Sequence, residues 1–350
     1  MASSIHTRQW VLQNRPTTTP MLDGPNATFK LVNTRLEPLR SSQVLLKAKY
    51  FSNDAAQRVW INASKDTGRL YVKPVEIGEV MRCSAIAEVI ESRSTKFPKG
   101  SLVKTMNGWS EFTVQDEDKC TALLDTPGIN VTHQLGALGI GGLTAYYGLV
   151  DVAKTSKRDT VVVSGAAGAT GSMAVQVAKK IIGCEKVIGI AGTDEKCRWV
   201  EKLGADKCLN YKSESFEQDL ANATEGYVDV FFDNVAGNIL DLMLTRMKMH
   251  GRIAQCGAVA MYNKLSEAMS LKNYGQLISN RLSVLGFIAF DYLEMAPQVY
   301  QLLTDAVNEG RLEVDDANET MMVAEFENIP KIWMMLYDGG NTGKLVTKLE

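Results

Sequence analysis

Between Arg8 and Val114 apolar residues come in short alternating or β-branched runs: WVLQ, FKLV, QVLLKAKYF, AIAEVIES, SLVKTM and EFTV. Pro16, Pro20, Gly24, Pro25, Gly68, Pro74, Gly78, Pro98, Gly100 and Gly108 separate them. Period-two runs punctuated by turn residues predict a twisted antiparallel β domain. From about Leu135 the rhythm changes to strands alternating with helical stretches, the pattern of βαβ units around a parallel sheet. Strands are expected at TVVVS (160–164), KVIGI (186–190), CLN (208–210), VDVFF (228–232), RIAQC (252–256) and LSVLGFI (282–288). Six such strands complete a doubly wound dinucleotide fold. After a helix near 294–309, the closing GNTGKLVTKLE offers a segment to pair back with the first domain. The expected architecture is α/β: a Rossmann-type parallel sheet over 131–309, plus a β-rich domain over 1–130 completed by 310–350. No internal repeat or low-complexity tract interrupts it.

A chain of 350 residues, 45% hydrophobic, is long enough for two cores. The 38 basic and 40 acidic side chains balance to −2, so charge gives no reason to expect nucleic acid or an anionic membrane as partner. MASSIHTRQW has no apolar core of signal-peptide length, and no stretch approaches the roughly 18 uncharged apolar residues of a membrane span. The reading is a cytoplasmic protein with a small-molecule ligand. Cys83, Cys120, Cys184, Cys197, Cys208 and Cys256 are scattered without a C-x-x-C pair, which points to reduced thiols rather than disulfides or a structural zinc lobe.

The strand TVVVS runs into Gly165-Ala166-Ala167-Gly168-Ala169-Thr170-Gly171, then into SMAVQVAKKII, apolar at helical spacing through Ala174, Val177, Ala178 and Ile181. In a dinucleotide fingerprint the first small residue makes the turn, the second admits the pyrophosphate and the third lets helix pack on strand. Ala166, Gly168 and Gly171 are expected in those places, with the pyrophosphate on the helix N-terminus. NAD-specific sites carry an acid about 20 residues on, at the second strand's tip. Here the tip reads Ile190-Ala191-Gly192-Thr193; Asp194 and Glu195 fall in the first helical turn, and Lys196 and Arg198 follow. A cation there suits a 2′-phosphate. Lys196 is read as that cation, against the alternative of an ordinary solvated lysine, and NADPH as the cofactor.

An ordered set of motifs resembles the zinc-independent medium-chain dehydrogenase/reductases of the leukotriene B4 dehydrogenase/prostaglandin reductase and plant double-bond reductase family. It comprises GGLTAYYGL (141–149), SGAAGATGS (164–172), AGTDEK (191–196), LNYK (209–212), FFDNVAG (231–237), GRIAQCGAVAMYN (251–263), FIA (287–289) and GNTGKLVTK (340–348), with weaker matches at FPKGSLV and GWSEFTV. The resemblance implies a GroES-like first domain, a Rossmann domain, a homodimer, and NADPH in the cleft between domains. It assigns the pyrophosphate to Gly168, Ala169, Thr170 and Gly171, and the 2′-phosphate to Lys196 and Tyr211. Thr144, Asn234, Cys256, Gly257, Ala258, Val259, Ala260, Met261, Tyr262, Phe287, Ile288, Ala289 and Asn341 complete the cofactor site. Two departures stand out. The family's D-P-Y-M-R run reads Asp54-Ala55-Ala56-Gln57-Arg58, implying a pocket without its usual aromatic. Its M-P-G-L turn reads Ile140-Gly141-Gly142-Leu143, implying a looser helix entry.

Medium-chain alcohol dehydrogenases polarise a carbonyl with zinc held by Cys and His. Neither that pattern nor a four-cysteine lobe exists here, and His6, His133 and His250 read as structural or exposed. No metal is expected. Reduction of an activated C=C bond needs only a hydride to the β-carbon, donors for the resulting enolate oxygen and a proton. A tyrosine hydroxyl meets the last two needs. The resemblance points to Tyr262, whose alternative role is a loop aromatic packing on cofactor or lid while positioning supplies most of the rate. Tyr50, Phe287 and Tyr292 are candidate substrate-pocket walls, or core residues. The expected function is NADPH-dependent reduction of α,β-unsaturated ketones and aldehydes. Alternatives are a quinone oxidoreductase, a carbonyl or alcohol oxidoreductase in a biosynthetic pathway, and a non-catalytic NADPH-binding protein.

Overall fold

A computed structural model describes residues 5–63, 67–264, 267 and 269–350. The chain forms two compact units: Met1–Leu135 with Thr320–Gly340 and Leu345–Glu350, and Gly136–Glu319 with Asn341–Lys344. The seams fall at 135/136 and 319/320, the first where the rhythm changes, against expected domain bounds of 130/131 and 309/310. The rhythm marks the first helix and the last, but not the connecting residues that pack with one side or the other.

In the first unit His6–Leu12 pairs with Phe29–Arg35. A larger sheet carries Gln43–Asn53 at its centre, antiparallel to Ala85–Ser92, to Phe112–Asp116 and to the returning Lys344–Leu349. Its core is aromatic: Phe29 sits edge-on to Trp109 at 4.9 Å, and Trp109 to Trp333 at 5.8 Å. Each such pair adds about 0.5–1.5 kcal/mol beyond the area it buries.

The second unit holds six strands in the order Lys207–Asn210, Lys186–Ala191, Thr160–Ser164, Val228–Asp233, Met247–Gln255, Ser283–Gly286. Numbered along the chain this is 3-2-1-4-5-6, and every pairing is parallel. The β-branched run of the first strand explains its central place. Val161, Val162 and Val163 are fully buried, as a strand covered on both faces requires. The order reverses between the first and fourth strands, and such a switch point opens the crevice where dinucleotides bind.

Two strand ends differ from the pattern. The fifth begins at Met247, since MKMH joins the ladder ahead of the apolar run. The sixth stops at Gly286: its residues are an exposed edge, whereas Phe287 turns inward to lie 6.1 Å from Phe232. No helix among the described residues is long and apolar enough to cross a membrane.

Candidate cofactor and active site

The first strand ends in a loop whose turn falls one residue earlier than the fingerprint suggested. Gly165 has φ +57°, which glycine adopts freely. Ala166 is fully buried, with its methyl against the second strand at Gly189. Gly168, extended, caps the helix Ala169–Gln176, and no side chain caps its first turn. A Cβ on Gly171 would lie 2.1 Å from the Gly165 carbonyl oxygen, so only glycine lets the helix approach the strand this closely. Gly168, Ala169 and Thr170 are half-exposed while Ala166, Ala167 and Gly171 are buried. The half-exposed face presents N–H groups at the positive end of the helix dipole, the chemistry a pyrophosphate requires. The loop is also held by a distant segment: Gly343 N–H donates to the Ala167 carbonyl at 2.8 Å, and Asn341 Nδ2 to Gly343 O at 2.8 Å.

Beside the loop, Thr193 caps the helix Asp194–Lys202 by accepting from the Lys196 N–H. The acid at its start, Asp194, accepts from Asn210 Nδ2 at 2.8 Å. Tyr211 lies against Gly192, and the Lys212 ammonium sits 5.8 Å from its ring centre. Burial, then the neighbouring Lys212, hold the Lys196 ammonium below its ordinary 10.5, with Glu195 opposing. Lys212 is a residue the sequence reading passed over; its only signal was adjacency to Tyr211 on the third strand's tip.

Of the residues expected at the nicotinamide end, Asn234, Cys256–Tyr262 and Phe287–Ala289 follow the carboxyl ends of the fourth, fifth and sixth strands. Asn234 donates from Nδ2 to the Ser164 carbonyl at 2.7 Å. The segment Cys256–Tyr262 folds over it, with Val259 N–H on the Asn234 carbonyl at 3.2 Å and Ala260 N–H on Val235 at 3.1 Å. The Tyr262 hydroxyl turns back to accept from Ala258 N–H at 3.3 Å, beside Gly257. Burial and the Asp233 carboxylate push the Cys256 thiol up to about 12, so it stays protonated and unreactive at neutral pH. Met261 is half-buried on the same turn. Thr144 donates to Ile140 O at 2.7 Å within its helix.

Other candidates are engaged in packing. Phe287 and Ala289 are buried, with Ile288 extended between them. The Tyr292 ring stacks on Tyr147 at 4.6 Å, and its carbonyl accepts from the Tyr147 hydroxyl. Tyr50 belongs to the first unit, on the strand Gln43–Asn53, opposite Ile86 and Lys348. The Gly141-Gly142 pair at the helix entry is buried, and a Cβ on Gly142 would meet Ala137 O at 2.0 Å. Arg58, in the run that lacks the family's aromatic, is fully buried and donates to the Pro16 and Thr18 carbonyls. The described residues bring together no group of three His, Cys, Asp or Glu side chains able to hold a metal. His6 and His250 are exposed and His133 is buried.

Residues 8–123 match the family described as the N-terminal domain of oxidoreductase, and 169–305 the one described as zinc-binding dehydrogenase. Bovine prostaglandin reductase 1 is 34% identical over 351 residues, covering 98% of this chain and 99% of its own. The NADP(+)-dependent 2-alkenal reductase of Nicotiana tabacum is 33% identical, over 100% of this chain and 99% of its own. The crystal structure of CurA in complex with NADPH from Vibrio vulnificus superposes with a TM-score of 0.87 at 30% identity, covering 98% of this chain and 99% of that one.

Proposed function

We propose, because this chain belongs to the zinc-independent medium-chain dehydrogenase/reductase family of prostaglandin and alkenal reductases, that it reduces the activated C=C bond of α,β-unsaturated ketones and aldehydes with NADPH. It is an NADP-dependent oxidoreductase; the substrate class and the roles below are our reading. The cofactor's chemistry fits the residues present: a helix start without a side-chain cap, next to a glycine turn, for the pyrophosphate, and Lys196 with Lys212 near it for the 2′-phosphate. When bound, NADPH supplies a hydride to the substrate's β-carbon.

The chain's own residues do the rest. N–H groups of Ala169, Thr170 and Gly171 hold the pyrophosphate; Lys196, Lys212 and Tyr211 hold the 2′-phosphate. Asn234, Cys256–Met261, Phe287–Ala289, Thr144 and Asn341 shape the nicotinamide end, and Tyr50, Phe287 and Tyr292 are assigned to the pocket walls. As charge collects on the substrate's carbonyl oxygen, the Tyr262 hydroxyl donates to it and assists protonation of the enolate. The observation that carries this reading is the placement of that hydroxyl over Gly257 and Ala258, at the carboxyl edge of the fifth strand. Dinucleotide folds place their reactive ring along that edge. We take the working form to be a homodimer in the cytoplasm, with a small enone or enal as its only other partner.

NADPH oxidation with a panel of enals, enones, quinones and simple aldehydes tests this. Enals and enones should turn over fastest. Quinones exceeding them would make the chain a quinone reductase, and no turnover at all would leave a nucleotide-binding protein.

Lys196→Ala should weaken NADPH binding by roughly tenfold or more, the loss of one charge-assisted contact, and leave NADH nearly unchanged. Equal losses for both would misplace the 2′-phosphate. A pH series adds an independent check. The phosphate binds the protonated ammonium, so NADPH affinity is full below the lowered Lys196 pKa and falls as pH rises through it, beginning below the ordinary lysine value of 10.5. Titrations of NADH over the same range should be flat; a parallel fall would assign the effect elsewhere.

A further inference from the structure

Asp233, the last residue of the fourth strand, is a fully buried carboxylate whose hydrogen-bond partners are neutral donors. Oδ1 accepts from Ser164 Oγ at 2.7 Å and from Val235 N–H at 2.9 Å. Ala236 N–H reaches both oxygens at 3.1 Å, and Gln255 Nε2 donates to Oδ2 at 3.0 Å. The carboxylate thus gathers the tips of the first, fourth and fifth strands at the switch point. Its backbone carbonyl accepts from Cys256 N–H at 2.8 Å and Gly257 N–H at 3.1 Å.

Two of these partners, Ser164 and Gln255, lead to residues assigned to the nicotinamide end. Ser164 Oγ, besides donating to Asp233, accepts from Asn234 N–H at 2.9 Å, so carboxylate, hydroxyl and Asn234 backbone form one relay. Gln255 Nε2 also holds the Gly257 carbonyl at 2.7 Å, at the start of the segment leading to Tyr262. Ala236 has φ +62° and ψ −152°, a conformation essentially reserved for glycine. The strain persists because the doubly bonded N–H pins it. Lys196, in the helix after the second strand, and Tyr211 and Lys212, just past the third, are not among these partners.

We infer that Asp233 is a positioning residue for the nicotinamide half of the site: its carboxylate sets Asn234 and the Cys256–Tyr262 segment where ring and substrate meet, without touching either. The carboxylate is required because every neighbour points a donor at it. Asparagine would replace one acceptor oxygen by an NH2 group facing further donors.

The inference rests on the reductase reading only for its kinetic arm. Asp233→Asn and the double variant Asp233→Asn/Ala236→Gly are compared with wild type, the glycine relieving the strain should the single variant fold poorly. Calorimetry measures binding of 2′,5′-ADP, which carries only the adenosine end, and of NADPH; kcat is measured with trans-2-hexenal. The expected result is a split. In whichever variant folds, 2′,5′-ADP affinity stays within about twofold, while NADPH affinity and kcat each fall about tenfold or more, one lost charged-acceptor network. Two outcomes overturn the inference: 2′,5′-ADP and NADPH weakening together, which would make Asp233 a general structural residue, or NADPH binding and kcat both unchanged. A binding split alongside a wild type inert toward the enal would sink the reductase reading and leave this one standing.

Discussion

Gly171→Ala should weaken NADPH binding by on the order of a hundredfold. The added methyl would meet the Gly165 carbonyl oxygen at 2.1 Å, a backbone atom that cannot rotate away. Relieving the clash means moving the helix off the strand and with it the N–H groups proposed to hold the pyrophosphate. Overpacking costs of about 1–3 kcal/mol are usual for one extra methyl in a close-packed site, and the upper end corresponds to roughly a hundredfold in Kd. Gly275→Ala is the control: nothing lies within 4 Å of its would-be Cβ. Calorimetric titration of the two variants decides the matter, and wild-type affinity in Gly171→Ala would remove the loop from the cofactor site.

The second large effect concerns the proposed proton donor. Tyr262→Phe keeps the ring and deletes the oxygen, so kcat for enones should fall roughly ten- to a thousandfold, the scale of losing one transition-state donor or general acid. NADPH affinity should change little. The hydroxyl accepts from Ala258 N–H, so its removal also leaves that N–H short of a partner, at a cost of about 1 kcal/mol in stability. A melting curve alongside the kinetics separates the two consequences. Undiminished kcat would return Tyr262 to the packing role that its loop position also allows, and the proton would come from water or the ribose hydroxyl.

The doubly wound sheet was readable because its signals are local. Three consecutive valines between Thr160 and Ser164, a glycine turn and a 3.6-period stretch fall within 20 or so residues, and each is dictated by burial or sterics at that place. What escaped the sequence depends on residues far apart. The turn glycine is Gly165 rather than the expected Ala166, because Ala166 spends its methyl on Gly189 of the next strand. The Asp233 network joins residues 164, 233 and 255, and no spacing rule links them. Lys212 gains meaning only where the third strand's tip meets the helix bearing Lys196. Phe287 and Tyr292 were equally plausible as pocket walls and as core; their partners Phe232 and Tyr147 settle how the rings pack, and neither partner is near in sequence.

The hydrogen bond from Gly343 to Ala167 ties the phosphate loop to a residue 176 positions downstream, since 343 − 167 = 176. Between them the chain completes the nucleotide-binding unit through Glu319, departs for the other unit over Thr320–Gly340, and comes back for Asn341–Lys344 alone. A ribosome making this polypeptide releases the glycine loop well before the segment that braces it. A nascent chain stalled before Asn341 would therefore carry the glycine loop without the Gly343 hydrogen bond.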